Sequence, residues 1–331
     1  MVFYATKITK APPSWDYALI PSVMKIGRLD LSSNQTKGLL AALVTVTCWS
    51  GFNIVSRFGS KGIFTPFDLA AMRYGVAGIL TMPYFLYSVP ARNWPKYMVL
   101  ALFGGLGYAI LVYSGFAFAP SAHAGIFVNG GIPFWAVLLT AFITGFKLSR
   151  HVVFALGLST CGLVMIGFNS LLSTHDADQW IGDILFFSAA LCWAIFGLLV
   201  KRWKIRPLQG ICGIATFSSL VFLPIYYAYL PKGIFDANWG DIILQCVYQG
   251  IIAALLAAGM FSYATHKIGA CEASMMLALV PAFSAIGGYF ILGEDLTLVT
   301  ILGILIVSVG ALLGAIPSNP VSFMIGRESG R

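Results

Sequence analysis

Few side chains able to do chemistry in this sequence sit where an apolar chain should hold none. The stretch Val128-Asn129-Gly130-Gly131-Ile132-Pro133-Phe134-Trp135 places an amide, two glycines and a proline inside a hydrophobic run. In a helix interior Gly costs about 1 kcal/mol against Ala and Pro about 3. Proline also removes a backbone donor and clashes with the preceding turn. Gly130, Gly131 and Pro133 therefore form a candidate hinge, and Asn129, one turn before the proline, is the first candidate for ligand contact. Trp49 and Asn53 are four apart and share one helical face. Tyr108, Trp135, Trp193, Gln245, Gln249 and Tyr263 supply further polar handles. A mainly apolar pocket with a few hydrogen-bonding groups is what a small-molecule site looks like, and aromatic walls suit flat or cationic groups. The same aromatics near span ends serve equally as interface anchors, and the glycines as close helix-packing points. The amides need more explanation, because an amide in hydrocarbon requires a partner or a cavity.

Catalysis has no visible home. The sequence holds no HExxH, no Ser/His/Asp cluster, no phosphate-binding loop and no paired carboxylates, so neither an enzyme, a cofactor, a metal site nor an ATP-driven pump is expected. Ionisable residues inside apolar spans are the default functional candidates. Asp68 and Arg73 lie near the start of one span, where an ion pair or turn cap is the simplest reading, although Arg73 is able to read a carboxylate. His123 reads as an interfacial histidine, and Glu272 as a cap or a partner of Lys267. No carboxylate falls at mid-span. That favours a neutral or zwitterionic ligand over a lipophilic cation, whose exchange for protons needs a buried acid.

These residues must be positioned by helices in a bilayer. The chain has 331 residues, 59% hydrophobic and 10% charged, with a mean hydropathy of +0.86. Its apolar runs are about 20 residues long, enough to cross a bilayer. Ten are expected: 38–57, 67–88, 97–118, 122–144, 150–169, 180–200, 208–230, 242–265, 270–292 and 298–316. If sides alternate, all Lys and Arg fall on the side of the termini except Arg57, Lys61, Arg73 and Lys232. Retention of positive charge places both termini in the cytoplasm, and the net charge of +8 then orients the protein without implying nucleic acid. The six cysteines lie in or beside apolar spans without a CxxC pair, as small hydrophobes. No signal peptide is expected in the first 37 residues, and the sequon Asn34-Gln35-Thr36 falls on the cytoplasmic side.

The chain repeats itself. Cys48-Trp49-Ser50-Gly51-Phe52 matches Cys192-Trp193-Ala194-Ile195-Phe196 at an offset of 144, and Pro133 matches Pro281 at 148. The second offset also aligns Gly145 with Gly293 and Gly162 with Gly310. Each half holds five spans, so the second enters the membrane from the opposite side. Such inverted repeats, with interrupted helices paired across a pseudo-twofold axis, mark secondary transporters. Pro133 and Pro281 both fall near mid-span, at the depth of a substrate site.

At these residues the sequence resembles the EamA-type, ten-helix members of the drug/metabolite transporter superfamily. The likeness spans about residues 38–316. It rests on the Cys-Trp-x-x-Phe segments, on Phe67-Asp68-Leu69-Ala70-Ala71-Met72-Arg73-Tyr74, on the paired prolines and on Gly293-Glu294. One departure is Gly145-Phe146 where the second half has Gly293-Glu294. The resemblance implies an all-α integral protein of a bacterial inner membrane, with two inverted repeats at 38–169 and 180–316 between a cytoplasmic segment 1–37 and a tail 317–331. It implies transport, often export, of small metabolites. Together with the absent mid-span acid, this leads to the expectation of an exporter of amino acids, aromatic ones among them, with the bilayer and a small metabolite as partners and an oligomeric state left open. A drug exporter of the same fold is the alternative. A channel is a weaker one, since it would need a continuous polar lining.

Overall fold

The structure, a computed structural model, describes residues 34–145, 150–172 and 178–315. Most of the N-terminal segment, the tail, and the Phe146 position used above lie outside the described residues. Among those described there is no strand. Ten helices are present: α1 (Asn34–Lys61), α2 (Pro66–Ser88), α3 (Ala91–Phe118), α4 (Ser121–Thr144), α5 (Arg150–Leu172), α6 (Gln179–Arg202), α7 (Pro207–Tyr229), α8 (Trp239–Ile268), α9 (Glu272–Leu292) and α10 (Leu298–Ala315). Among the described residues nine are long and apolar enough to cross a membrane, and the tenth is a shorter apolar helix.

The surface is inverted relative to a water-soluble protein. Phe142 is 88% exposed and Phe290 78%, whereas Asp68, Gln245 and Gln249 are wholly buried. Apolar side chains facing lipid lose nothing, while every polar group must be satisfied within the protein. Local sequence sets the helix ends. Thr65 and Asp68 form a capping box at the start of α2, the Asp68 N–H donating to Thr65 Oγ1 at 3.1 Å and the Thr65 N–H to the Asp68 carboxylate at 2.7 Å. Pro66 occupies the first turn, where its missing N–H costs nothing. α4 and α9 both stop at a glycine in the left-handed region, Gly145 at φ 65° and Gly293 at φ 64°, a conformation that glycine adopts without strain.

Hydrogen bonds at the two ends fix the helix directions. At the end that carries the start of α1 and the finish of α10, Lys267 Nζ donates to Asn34 Oδ1, the Gln209 amide to the Ser88 carbonyl, and His151 Nε2 meets the Leu313 carbonyl. At the far end Arg57 pairs with Glu294, and the Gly233 N–H donates to Asp68. The start of α6 is at that far end too, where Asp183 meets His123. α1 thus begins at one end and α6 at the other, so the two five-helix halves are inverted. Packing obeys the same exchange. α1 packs on α8 as α6 packs on α3, and α1 on α9 as α6 on α4, while α5 lies on α10, α2 on α7 and α4 on α9. α3 and α8 each widen into a π-helical stretch, Ala101–Gly107 and Cys246–Leu256, starting 145 residues apart.

The two proline helices differ. α9 is interrupted by a 3-10 turn at Leu277–Leu279, and the helix resumes at Val280, one residue before Pro281. α4 remains helical through Pro133, so the interruption anticipated in both halves is present in one. In α4 the proline only withdraws the donor that the Asn129 carbonyl would otherwise receive. The two helices meet closely: a Cβ on Gly125 would lie 2.9 Å from Pro281 Cα.

Candidate functional site

A cavity of about 610 Å³ lies between the halves. Its deep end is formed by Trp49 from α1, Arg73 and Tyr74 from α2, Asn129 and Pro133 from α4, Trp193 from α6 and Pro281 from α9. From there it reaches Val152, Pro207, Thr265 and Gly314, all near helix ends on the termini side. A smaller recess adjoins it, lined by Phe52, Asn53, Tyr108 and Val128 and sharing Trp49, Arg73, Asn129, Ile132 and Trp193. The lining is mostly apolar, with tryptophan faces on two sides.

The opposite end is closed by buried polar contacts. Glu294 is the centre of one. It accepts from Arg57 Nε at 3.2 Å, from Ser121 Oγ at 2.6 Å and from the Ser121 N–H at the start of α4. Arg57 also donates to the Phe116 carbonyl. A second contact joins His123 Nδ1 and Asp183 at 2.7 Å. A third gathers Thr65, Tyr226 and Gly233 around Asp68. Between this seal and the cavity, a stripe on α1 is stitched to α9: Ser50 donates to the Val280 carbonyl and Asn53 to Ser284 Oγ at 2.9 Å.

The residues singled out from sequence separate into three groups. Trp49, Asn129, Gly130, Pro133, Trp193 and Pro281 line the large cavity, and Asn53 and Tyr108 the recess. Gln245 and Gln249 are buried elsewhere. Gln249 accepts from the Tyr113 hydroxyl at 2.9 Å and donates to Ser56 Oγ and Gln245 Oε1, while Gln245 donates to the Val55 carbonyl. Trp135 donates its indole N–H to the Phe187 carbonyl, and Tyr263 is half-exposed under Lys267. Gly131 packs against α6, where a Cβ would meet that of Ala190 at 2.8 Å.

Asn129 donates its amide to the Gly125 carbonyl at 3.0 Å, and its Oδ1 receives no hydrogen bond from any described residue. Glu272 makes no ion pair with Lys267, which turns to Asn34 and Tyr263. His123 lies in the first turn of α4, 4% exposed and against Asp183. Asp68 is indeed a turn cap, but Arg73 is not its partner. Residues five apart on a helix lie about 140° apart around its axis, so the spacing itself separates them. Arg73 enters the cavity, with its guanidinium 5.4 Å from the Phe52 ring centre. That spacing was the available signal for the most consequential residue of the site.

A polar-handled cavity at mid-depth between inverted halves, open on one side and sealed on the other, is the architecture of a secondary transporter. The chain belongs to the EamA-like transporter family, which matches it twice, over residues 36–168 and 180–315. It is similar to an uncharacterized transporter, YyaM, of Bacillus subtilis, 23% identical over 76% of this chain and 85% of that one. It is also similar to a protein of Escherichia coli named a probable amino-acid metabolite efflux pump, 24% identical over 84% of this chain and 94% of that one. A solved crystal structure shares the fold at a TM-score of 0.57 and 18% identity, covering 90% of this chain and all of that one.

Proposed function

We propose that this transporter exports amino acids, aromatic ones among them, or similar small zwitterionic metabolites, by alternating access in the inner membrane of a bacterium, with both termini cytoplasmic. The observation that carries this reading is the cavity that reaches the termini side and ends at Trp49, Asn129 and Trp193 beneath a sealed far end. With the termini in the cytoplasm, the cavity takes cargo from inside the cell. No carboxylate among the described residues lines it, which argues against the lipophilic cations of a drug exporter, since these need a buried acid. The amino-acid reading is also supported by the name of the Escherichia coli relative.

The test is counterflow in proteoliposomes of the full chain. Vesicles are loaded with each of the twenty natural amino acids in turn, and with quaternary amines such as tetraethylammonium, and uptake of the same labelled compound is followed against protein-free vesicles. The proposal expects accumulation for a subset that includes aromatic members. Accumulation of quaternary amines with none for any amino acid overturns it in favour of the drug-export alternative.

A further inference from the structure

We propose that Arg73 is the cargo's carboxylate-binding residue, so that the transporter carries carboxylates and not merely small polar metabolites. The proposal rests on the transport reading above and narrows it. Arg73 is the one charged side chain among the described residues lining the cavity. The two acid–base pairs among the described residues are Arg57 with Glu294 and His123 with Asp183, and neither includes it. What faces the guanidinium is uncharged: the Phe52 ring from α1, the phenol of Tyr74 from α2, and those of Tyr108 and Tyr113 from α3.

The nearest acid in sequence, Asp68, is already committed. Its carboxylate takes the Thr65 N–H and hydroxyl, the Gly233 N–H and the Tyr226 hydroxyl. Rotation of Arg73 toward it is precluded by the helix, because the two side chains leave α2 on different faces. A guanidinium held in a membrane cavity without a counter-charge is tolerable only while water fills that cavity. Alternating access requires the cavity to close, and closing expels the water. An anion arriving with the cargo removes that cost, so the closed state is reached readily only when Arg73 is paired. A carboxylate also matches the guanidinium fork in shape, two N–H groups to two oxygens.

The remainder of the pocket suits a body attached to that carboxylate. Trp49 and Trp193 offer flat apolar faces, and Asn129 Oδ1, lining both the cavity and the recess with Arg73, is a free acceptor for an ammonium. Arg73 thus supplies the charge selection, and the asparagine distinguishes amino from oxo acids.

The experiment measures thermal stabilisation of the detergent-purified full chain. The probes are matched sets sharing one side chain: phenylalanine, its primary amide, phenethylamine and phenylpyruvate, with the equivalent leucine and threonine sets. Sodium chloride at equal ionic strength is the control. For any set that binds, the acids should bind at least about tenfold more tightly than the amide or amine, as expected for a charge-assisted hydrogen-bonded pair. Phenylpyruvate matching phenylalanine assigns the selection to the carboxylate alone, and phenylalanine winning adds the ammonium at Asn129.

In Arg73→Gln the preference for acid over amide should fall to near parity, and Arg73→Lys should retain part of it. The wild-type comparison stands even where a variant does not fold. Equal binding of amides and acids overturns the carboxylate proposal while leaving transport intact. Chloride stabilising as well as any acid overturns it too, assigning Arg73 to an inorganic anion. Failure of every probe to bind, together with absent counterflow for all amino acids, overturns both this proposal and the reading it rests on.

Discussion

Two amides of similar chemistry have opposite surroundings here, and that difference sets what each is for. Gln249 is fully buried, and its amide is engaged on both sides, with Tyr113, Ser56 and Gln245. Asn129 keeps one bond to its own helix and turns an unused oxygen to the cavity. Replacing Gln249 with Leu removes the acceptor of the Tyr113 hydroxyl proton and the donor to the Gln245 oxygen, both buried, at about 1–3 kcal/mol each. Gln249→Leu should therefore lower the melting temperature of the purified protein by several degrees. Asn129→Leu should leave it nearly unchanged while weakening binding of whichever amino acid stabilises the wild type. The reverse pattern in the two melting curves would reassign the roles. Sequence alone could not have made this separation. Both residues read as amides in hydrocarbon, and the partner that decides between scaffold and site lies 136 residues away in the case of Tyr113 and Gln249.

At the scale of the helices, α4 and α9 carry the paired prolines and meet beside the cavity, and we propose that the gating motion depends on them. Pro281 follows a 3-10 turn, whereas Pro133 sits in a continuous helix that has lost one hydrogen bond, the one to the Asn129 carbonyl. Pro133→Ala restores that donor and stiffens α4 beside the cavity. The expected outcome is a several-fold slower counterflow with unchanged ligand affinity and insertion, and equal rates would remove α4 from the gating account. Gly130 and Gly131 are poorer probes, because a Cβ there would meet Val307 at 2.7 Å or Ala190 at 2.8 Å, and their substitution tests packing first. The ten spans, the paired prolines and the glycine stops after α4 and α9 were legible in the sequence, since hydropathy, proline and left-handed glycine are local properties. The π-helical stretches in α3 and α8 were not, nor was the His123–Asp183 contact between α4 and α6. Each depends on what the neighbouring helix presents. Arg73 falls between these cases: its place in the span was visible, its distance around the helix from Asp68 was computable, and only the empty space it faces required the fold.

For the whole molecule, the structure has the far end sealed through Glu294 and the cavity reaching the termini side, and the proposed alternating-access cycle pairs this state with its mirror image across the inverted halves. The mirror state must break the Arg57–Glu294 contact, which joins the end of α1 to the end of α9. The central claim is that one site is exposed alternately to the two faces. It is tested most directly by a single cysteine at Ile132, which lines both the cavity and the recess, in a chain whose six native cysteines are replaced. Its modification by an impermeant thiol reagent is timed separately from each side of oriented proteoliposomes, with and without Arg57→Ala. Alternating access predicts labelling from both sides, faster from the termini side, and a shift on Arg57→Ala in opposite directions, faster from the far side and slower from the termini side. Labelling from one side only, or rates that rise together on both sides as in an open channel, would contradict it.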